Sequence, residues 1–377
     1  MARRKSKFSL LMWLVFSGIS GGGITGYLRP NIPIVGPMIT KLTSKGESIA
    51  ADSGTLRNNS ANSLLSTQPS GNYGASTVSG QLASARQTAN GQQQGTVSAN
   101  VAAGRQSNGN LLIASFNIQV LGQSKISKPG MKEKLAHVIR QFDLVAIQEV
   151  RAKADNVIPD LVAAVNANGS RYNFVIGPRL GRSNSKEQYT YVFNTNTVEH
   201  DPSSVGTVND PNDLLHREPF VTRFRARTQS PSQAFTFWMV NIHTDPDEVP
   251  EEVDALADVF RVMQQARADE DDVILLGDLN ASEKQLGRLG KIPGMRWTVT
   301  GVTTNTRKNK AYDNILFQGQ ATQEYTGRWG VYDLERNLGL NRDQALQVSD
   351  HLPVWAEFRV WEAPRPTTPV GRPSLYN

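Results

Sequence analysis

Between Asn110 and Glu362, short apolar runs repeatedly border a polar residue able to hold an ion or move a proton. Leu111-Leu-Ile-Ala-Ser-Phe-Asn117 closes on an amide, and Glu149 follows Leu144–Gln148. His243 follows Phe235–Ile242, Asp278 and Asn280 follow Val273–Leu276, and Asp350 and His351 stand just before Pro353–Phe358. Runs of this length predict strands, as do Tyr172–Ile176, Tyr189–Phe193 and Tyr312–Phe317. A carboxylate or imidazole buried without partners costs several kcal/mol, so seven such placements do not fit polar residues scattered at random over a surface.

Helical spacing is rarer. Met131, Leu135, Val138, Ile139 and Phe142 recur on one face, and so do Val253, Leu256, Phe260 and Met263 within Glu251–Arg267. Many strands with few helices predict an α/β (α+β) protein of two packed sheets with helices outside.

The remaining sequence divides cleanly. Met1-Ala-Arg-Arg-Lys-Ser-Lys7 precedes the apolar stretch Phe8–Ile19, the glycines Gly21–Gly23 and Ile24–Leu28. Residues 1–42 therefore read as a membrane anchor or signal segment, of about the 20 residues a span needs. Basic residues ahead of it direct the downstream chain outside the cytoplasm. Gly18-Ile19-Ser20 is a poor cleavage site, which favours an uncleaved anchor over a secreted product. Residues 43–109, rich in Ser, Thr, Asn, Gln, Gly and Ala, predict a flexible tether, because few large apolar side chains are available to offset chain entropy. Residues 110–362 form the folded domain, and residues 363–377 are a Pro-rich tail.

Charge and cysteine content narrow the chemistry. The net charge of +6 arises outside the folded domain. Residues 1–110 hold ten of the 40 Lys and Arg but two of the 34 Asp and Glu, leaving 30 basic against 32 acidic in the other 267. A basic face for nucleic acid thus cannot be inferred from overall charge. The absence of cysteine excludes disulfides, thiolate metal sites and thiol nucleophiles. What remains is a set of carboxylate and amide oxygens suited to a hard divalent cation, with two histidines for proton transfer. Glu149 with Asn117 offers a sparse oxygen shell of the kind Mg²⁺ accepts.

Eight stretches in order carry a family resemblance. They are Ile113-Ala-Ser-Phe-Asn-Ile118, Ile147-Gln-Glu-Val-Arg151, Gly181-Arg-Ser-Asn-Ser-Lys-Glu187, Arg217-Glu-Pro-Phe220, Asn241-Ile-His243, Leu276-Gly-Asp-Leu-Asn280, Ala311-Tyr-Asp-Asn-Ile315 and Leu346-Gln-Val-Ser-Asp-His351. Across about residues 110–360 the chain resembles the DNase I-like endonuclease/exonuclease/phosphatase superfamily, and within it is most similar to the DNase I branch. The resemblance implies a four-layered sandwich of two packed, mostly antiparallel sheets flanked by helices, with the site at one edge, and a divalent-metal-dependent phosphodiester hydrolase, an endonuclease leaving 5′-phosphate ends on DNA. It assigns His243 as general base with Glu187, and His351 as general acid with Asp313. Asp278 and Asn280 would position nucleophile and phosphate, and Asn117, Glu149 and Asp350 would serve the metal, Mg²⁺ with Mn²⁺ or Ca²⁺ as alternatives. Arg217 matches a phosphate-contacting position and Arg151 one that reaches the minor groove.

Two positions depart from the family. Ser185 stands where a groove-contacting tyrosine is expected, and Gln119 where vertebrate enzymes carry arginine, so duplex binding should be weaker. His137, His200 and His216 are expected at surface or loop positions. Sequons occur at Asn58, Asn168 and Asn280, the last inside the proposed site. No protein partner is expected, and the catalytic domain reads as a monomer. Hydrolysis of a phospholipid or inositol phosphate is the main alternative, and a catalytically silent surface-binding protein a lesser one.

Overall fold

The computed structural model describes residues 39–41, 93–94, 109–183 and 185–364. Most of the expected anchor, tether and Pro-rich tail therefore lies outside the described residues, as do Asn58 and its sequon. Among the described residues no helix is long and apolar enough to cross a membrane.

The strands in chain order are β1 (Ile39–Lys41), β2 (Gln93–Gln94), β3 (Asn110–Leu121), β4 (Leu144–Val150), β5 (Tyr172–Ile176), β6 (Gln188–Asn194), β7 (Val198–Val208), β8 (Phe220–Ala226), β9 (Thr236–His243), β10 (Val273–Asp278), β11 (Met295–Trp297), β12 (Asp313–Gln318), β13 (Tyr325–Val331) and β14 (Val354–Arg359). They form two mixed sheets, each of six strands from the folded domain plus a short strand from the preceding chain. One runs β1-β7-β8-β9-β10-β12-β11 and the other β2-β13-β14-β3-β4-β6-β5. Pairing is mostly antiparallel, with parallel pairs β9–β10, β3–β4 and β2–β13.

Alternation along the strands builds the layers. In β10, Ile274 and Leu276 join the core between the sheets, whereas Val273 and Leu275 join the core beneath helix Val249–Gln264. In β3, Leu111 and Ile113 enter the inter-sheet core, while Leu112, Ala114 and Phe116 pack under helices Met131–Ile139 and Val157–Asn166. Successive side chains point to opposite faces of a strand, so a strand buried on both faces reads as continuous apolar sequence. The result is the expected four-layered sandwich.

Helix Val249–Gln264 buries Val253, Leu256, Phe260 and Met263 as their spacing predicts. Pro250 in its first turn needs no amide partner, and Glu251 and Glu252 complement the helix N-terminus. Strands β7, β8, β11 and β13 and helices Val157–Asn166 and Arg342–Val348 were not expected from sequence.

His200 requires a correction. It is not a surface or loop residue but lies within β7, half-buried, with its ring 5.7 Å from Phe193 and 5.3 Å from Phe224. Its Nε2 meets the Thr222 hydroxyl at 2.9 Å. Burial lowers its pKa to about 4. His137 lies half-buried on helix Met131–Ile139, and His216 in a loop, 3.3 Å from Asp245.

Candidate active site

Three neighbouring strands of one sheet deliver the centre of the site. His243 ends β9, Asp278 ends β10 and Asp313 begins β12; Asp278 pairs in register with His243 on one side and Asp313 on the other. The second sheet contributes Asn117 from β3 and Glu149 from its parallel neighbour β4. Asn117 Nδ2 donates to Asp278 Oδ2 at 2.9 Å and to Glu149 Oε1 at 3.3 Å, joining the two sheets across their shared edge. His351 follows helix Arg342–Val348 and is anchored through Ser349, whose hydroxyl donates to the Asn117 carbonyl at 2.7 Å.

Each histidine is held at Nδ1 by a buried carboxylate. His243 meets Glu187 Oε1 at 2.7 Å, and His351 meets Asp313 Oδ2 at 2.9 Å. Both Nε2 atoms approach Asp278 Oδ2, at 3.5 and 3.4 Å respectively. A carboxylate on Nδ1 fixes the ring orientation and places the exchangeable position at Nε2.

Electrostatics follows from this packing. Burial opposes charge on His243, but Glu187 and Asp278 outweigh it and raise the pKa of the imidazole. Burial likewise opposes charge on His351, where Asp313, Asp278 and Asp350 hold the pKa well above the ordinary value. Glu187 is pushed up by burial yet ends below the usual carboxylate range, because His243, Arg217 and Arg151 favour its ionised form. Asp313 is raised by burial and by Asp278 against the pull of His351. Of that pair, His351 keeps the proton, because three carboxylates face it.

Local backbone departs from regularity here. Ladder register breaks in β3 between Asn117 and Leu121 and in β4 between Ile147 and Val150. Of the five non-glycine residues with positive φ among the described residues, Val120 (49°), Glu149 (61°) and Asn280 (48°) lie here. Such conformations, least tolerable for β-branched valine, persist only where the surroundings impose them. They are tied down: Val120 N donates to Glu149 Oε2 at 2.8 Å, Asn280 N to Asp278 Oδ1 at 2.9 Å, and Asn280 Nδ2 to the Thr244 carbonyl at 2.9 Å.

The donor set fits a hard cation. Asn117 Oδ1 and Asp350 Oδ1 are buried and lack hydrogen-bond partners among the described residues. Asp350 is near the cluster through Gln119, whose Nε2 donates to its Oδ2 at 2.9 Å. Asp278, Asp313 and His351 also have metal-compatible spacing, each offering one ligand atom within 4.8 Å of the others.

The two arginines differ. Arg151 is partly exposed, donates to the Ser185 hydroxyl at 2.9 Å, and lies 3.3 Å from Glu149 and 3.6 Å from Glu187. Arg217 is 7% exposed, donates to the His243 carbonyl at 3.0 Å and lies 3.3 Å from Glu187. All eleven residues singled out from sequence thus gather at one edge of the sandwich, with Arg217 beneath the surface.

Several supporting residues escaped sequence reasoning. The Thr304 hydroxyl donates to Asp313 Oδ2 at 2.7 Å, the Tyr189 hydroxyl accepts from His243 N at 3.0 Å, and Ser349 accepts from His351 N at 3.2 Å. Lys125 Nζ donates to the Val348 carbonyl at 2.8 Å, and burial lowers its pKa to about 8. Ser349 alone carried a signal, its adjacency to Asp350.

The Endonuclease/Exonuclease/phosphatase family profile matches residues 114–351. Deoxyribonuclease-1-like 1 of Cricetulus griseus is 33% identical over 259 residues, covering 65% of this chain and 83% of that protein. Deoxyribonuclease gamma of Rattus norvegicus is 31% identical over 272 residues, 66% of this chain and 84% of that protein. Deoxyribonuclease-1 of Bos taurus is 31% identical over 262 residues, 65% of this chain and 90% of that protein. The profile spans more than half of the chain and includes the sandwich edge just described, so the chain belongs to the Endonuclease/Exonuclease/phosphatase family, near its deoxyribonuclease I branch.

Proposed function

We propose that this protein is a divalent-metal-dependent endonuclease that hydrolyses DNA to leave 5′-phosphate ends. One observation carries the reading: two imidazoles, each backed by a buried carboxylate at Nδ1, bring Nε2 to the same Asp278 oxygen. Phosphodiester hydrolysis needs a group to take a proton from water and another to give one to the departing oxygen, and this arrangement supplies both.

In this reading His243 Nε2 accepts the water proton while Glu187 steadies the cation that forms. His351 Nε2 donates to the leaving oxygen, its charge held by Asp313. Asp278 and Asn280 orient water and phosphate between the rings. Asn117, Glu149 and Asp350 would hold Mg²⁺. When bound, the ion polarises the phosphoryl group and offsets its developing charge. Arg151 reaches toward the substrate backbone. Arg217 contacts phosphate if the Glu187 pair opens, and otherwise supports His243 from below. The deoxyribonucleases to which the chain is similar support DNA as substrate.

The basic start and apolar stretch of residues 1–28 support an anchored enzyme with an extracytoplasmic catalytic domain. Carbonate-resistant membrane association of the full chain, with the domain open to external protease, tests this placement; release of a shortened soluble product would mean cleavage instead.

The activity test uses the full chain in detergent with plasmid, single-stranded oligonucleotide, RNA and sphingomyelin. The reading expects Mg²⁺-dependent plasmid cleavage, abolished by EDTA and by His243→Ala, with products that require dephosphorylation before kinase labelling. Turnover of lipid but not plasmid would overturn it.

A further inference from the structure

His351 has a neighbour that lies outside every family-like stretch, the turn 305–310. No Asp or Glu stands between Glu283 and Asp313, although charges nearly balance over the folded region as a whole. Arg307, Lys308 and Lys310 place three cations within four residues, and all three are exposed.

The turn is built onto the catalytic edge. Asn305 pairs with His351 as an antiparallel bridge. The Thr306 amide donates to the Asp350 carbonyl at 2.7 Å, and its hydroxyl to the Ser349 carbonyl at 2.7 Å. The Asn305 side chain, 7% exposed, shapes the turn from inside. Its Oδ1 accepts from the amides of Asn309 and Lys310, both at 2.9 Å, and its Nδ2 donates to Asn309 Oδ1 at 2.7 Å. Lys308 reverses the chain at φ 58°, and the Thr304 amide closes it on the Lys310 carbonyl at 2.9 Å. A loop held by this many bonds has little ordering left to lose when it binds. Lys308 Nζ is already paired, with Asp333 at 2.8 Å and Glu335 at 3.2 Å, whereas Arg307 and Lys310 form no ion pair among the described residues.

We propose that Arg307 and Lys310 form the subsite for backbone phosphates on the 5′ side of the bond that is cut, an assignment that rests on the endonuclease reading above. To leave a 5′-phosphate, water adds to phosphorus, the P–O3′ bond breaks, and O3′ takes its proton from His351. That oxygen belongs to the nucleotide on the 5′ side. The strand running 5′-ward from His351 therefore meets the turn that is bonded to the segment carrying His351. The carboxylates Glu149, Asp278, Asp313 and Asp350 repel a phosphate chain, and cations at the flank offset this. The guanidinium fits phosphate oxygens through its planar fork and the ammonium acts as a point charge, and neither contact reads sequence. The pair thus supplies backbone grip in a chain where Ser185 and Gln119 are both uncharged.

The test is steady-state cleavage by the full chain, in detergent with Mg²⁺, of single-stranded oligonucleotides carrying one phosphodiester among resistant phosphorothioates. Uncharged methylphosphonates replace the two linkages on either the 5′ or the 3′ side of that bond. Arg307 and Lys310 are exposed, so their variants should fold as the parent does. The double substitution Arg307→Gln and Lys310→Gln should raise KM about tenfold with kcat little changed. On the Asp278→Asn background it should lower the slope of log affinity against log salt by about 1.4, the value for two phosphate contacts on a single strand. Neutralising the 5′ side should raise KM about tenfold for the parent protein and not at all for the double variant, while the 3′ side should affect both alike. Lys308→Gln should leave KM nearly unchanged, because that cation is already paired. An unchanged KM in the double variant, a loss that follows the 3′ side, or an equal loss from Lys308→Gln overturns the subsite while cleavage by the parent keeps the endonuclease reading. A parent protein that cuts none of these substrates, nor plasmid, removes that reading and the 5′ assignment with it.

Discussion

His243 and His351, which are 108 positions apart in sequence, bring their Nε2 atoms to within 3.5 and 3.4 Å of a single oxygen, Oδ2 of Asp278. Groups acting on one phosphate through one shared partner should fail together. We expect His243→Ala and His351→Ala each to lower kcat about 10²–10⁴-fold. The double variant should lose far less than the product of the two, and single-turnover plasmid relaxation would measure it. A fully multiplicative loss would mean that the rings act independently.

Metal dependence should reside in the β3–β4 corner. Glu149→Gln keeps the side-chain shape but removes charge from the atom that ties Val120 N and faces Arg151. The Mg²⁺ concentration for half-maximal cleavage should rise about tenfold or more, in the range typical for weakening a metal's surroundings. A metal titration of plasmid cleavage with unchanged midpoint would remove Glu149 from the metal's shell.

Substrate grip should be electrostatic at Arg151. Its partial exposure and its bond to Ser185 place it at the rim of the cluster. Arg151→Ala should weaken DNA binding and reduce the slope of log affinity against log salt by about 1, because one phosphate contact is lost. Binding isotherms on a catalytically dead Asp278→Asn background provide the measurement, and an unchanged slope would assign Arg151 a structural role alone.

The His200 pocket predicts acid sensitivity. Its folded-state pKa of about 4 lies below the ordinary 6.5, so the unfolded chain binds the extra proton first. Stability from the neutral ring is therefore present above about pH 6.5 and is lost as pH falls through 4, by about 3 kcal/mol at most. Urea unfolding at pH 7 and pH 4 should show this loss in the parent protein, and His200→Leu should flatten that part of the profile.

Gly277 should tolerate no side chain. Its φ is +151°, and a Cβ there would lie 1.9 Å from the Ile242 carbonyl oxygen, between the strands that carry His243 and Asp278. Gly277→Ala should destabilise the fold by about 3 kcal/mol or more, read as a Tm drop of several degrees. Activity should fall even at temperatures where the variant stays folded, since the two strand ends separate.

Strands buried on both faces were legible because a continuous apolar run such as Val273–Leu276 is too short for a helix and suits a strand covered on either side. β7 was not. It contains Pro202, Ser203 and Ser204, and its register with β8 breaks between Asp201 and Gly206, which destroys the two-residue alternation. β13 is interrupted by Gly327 and Gly330 and pairs irregularly between Tyr325 and Trp329. Bulged strands take stability from neighbours remote in sequence, so their own residues signal weakly.

The sequence alone determined the inventory: imidazoles able to move a proton, carboxylate and amide oxygens able to hold a cation, and strand ends that present them. It also carried the resemblance that paired His243 with Glu187 and His351 with Asp313. Only tertiary structure decided that Arg217 lies under the site and that Thr304, Tyr189 and Ser349 hold its parts. The reason is physical. Chemistry belongs to a residue type and is visible in one letter, whereas burial and distance are set by sheet register and by bulges at Asn117–Leu121 and Ile147–Val150, which arise only when strands far apart in sequence pair.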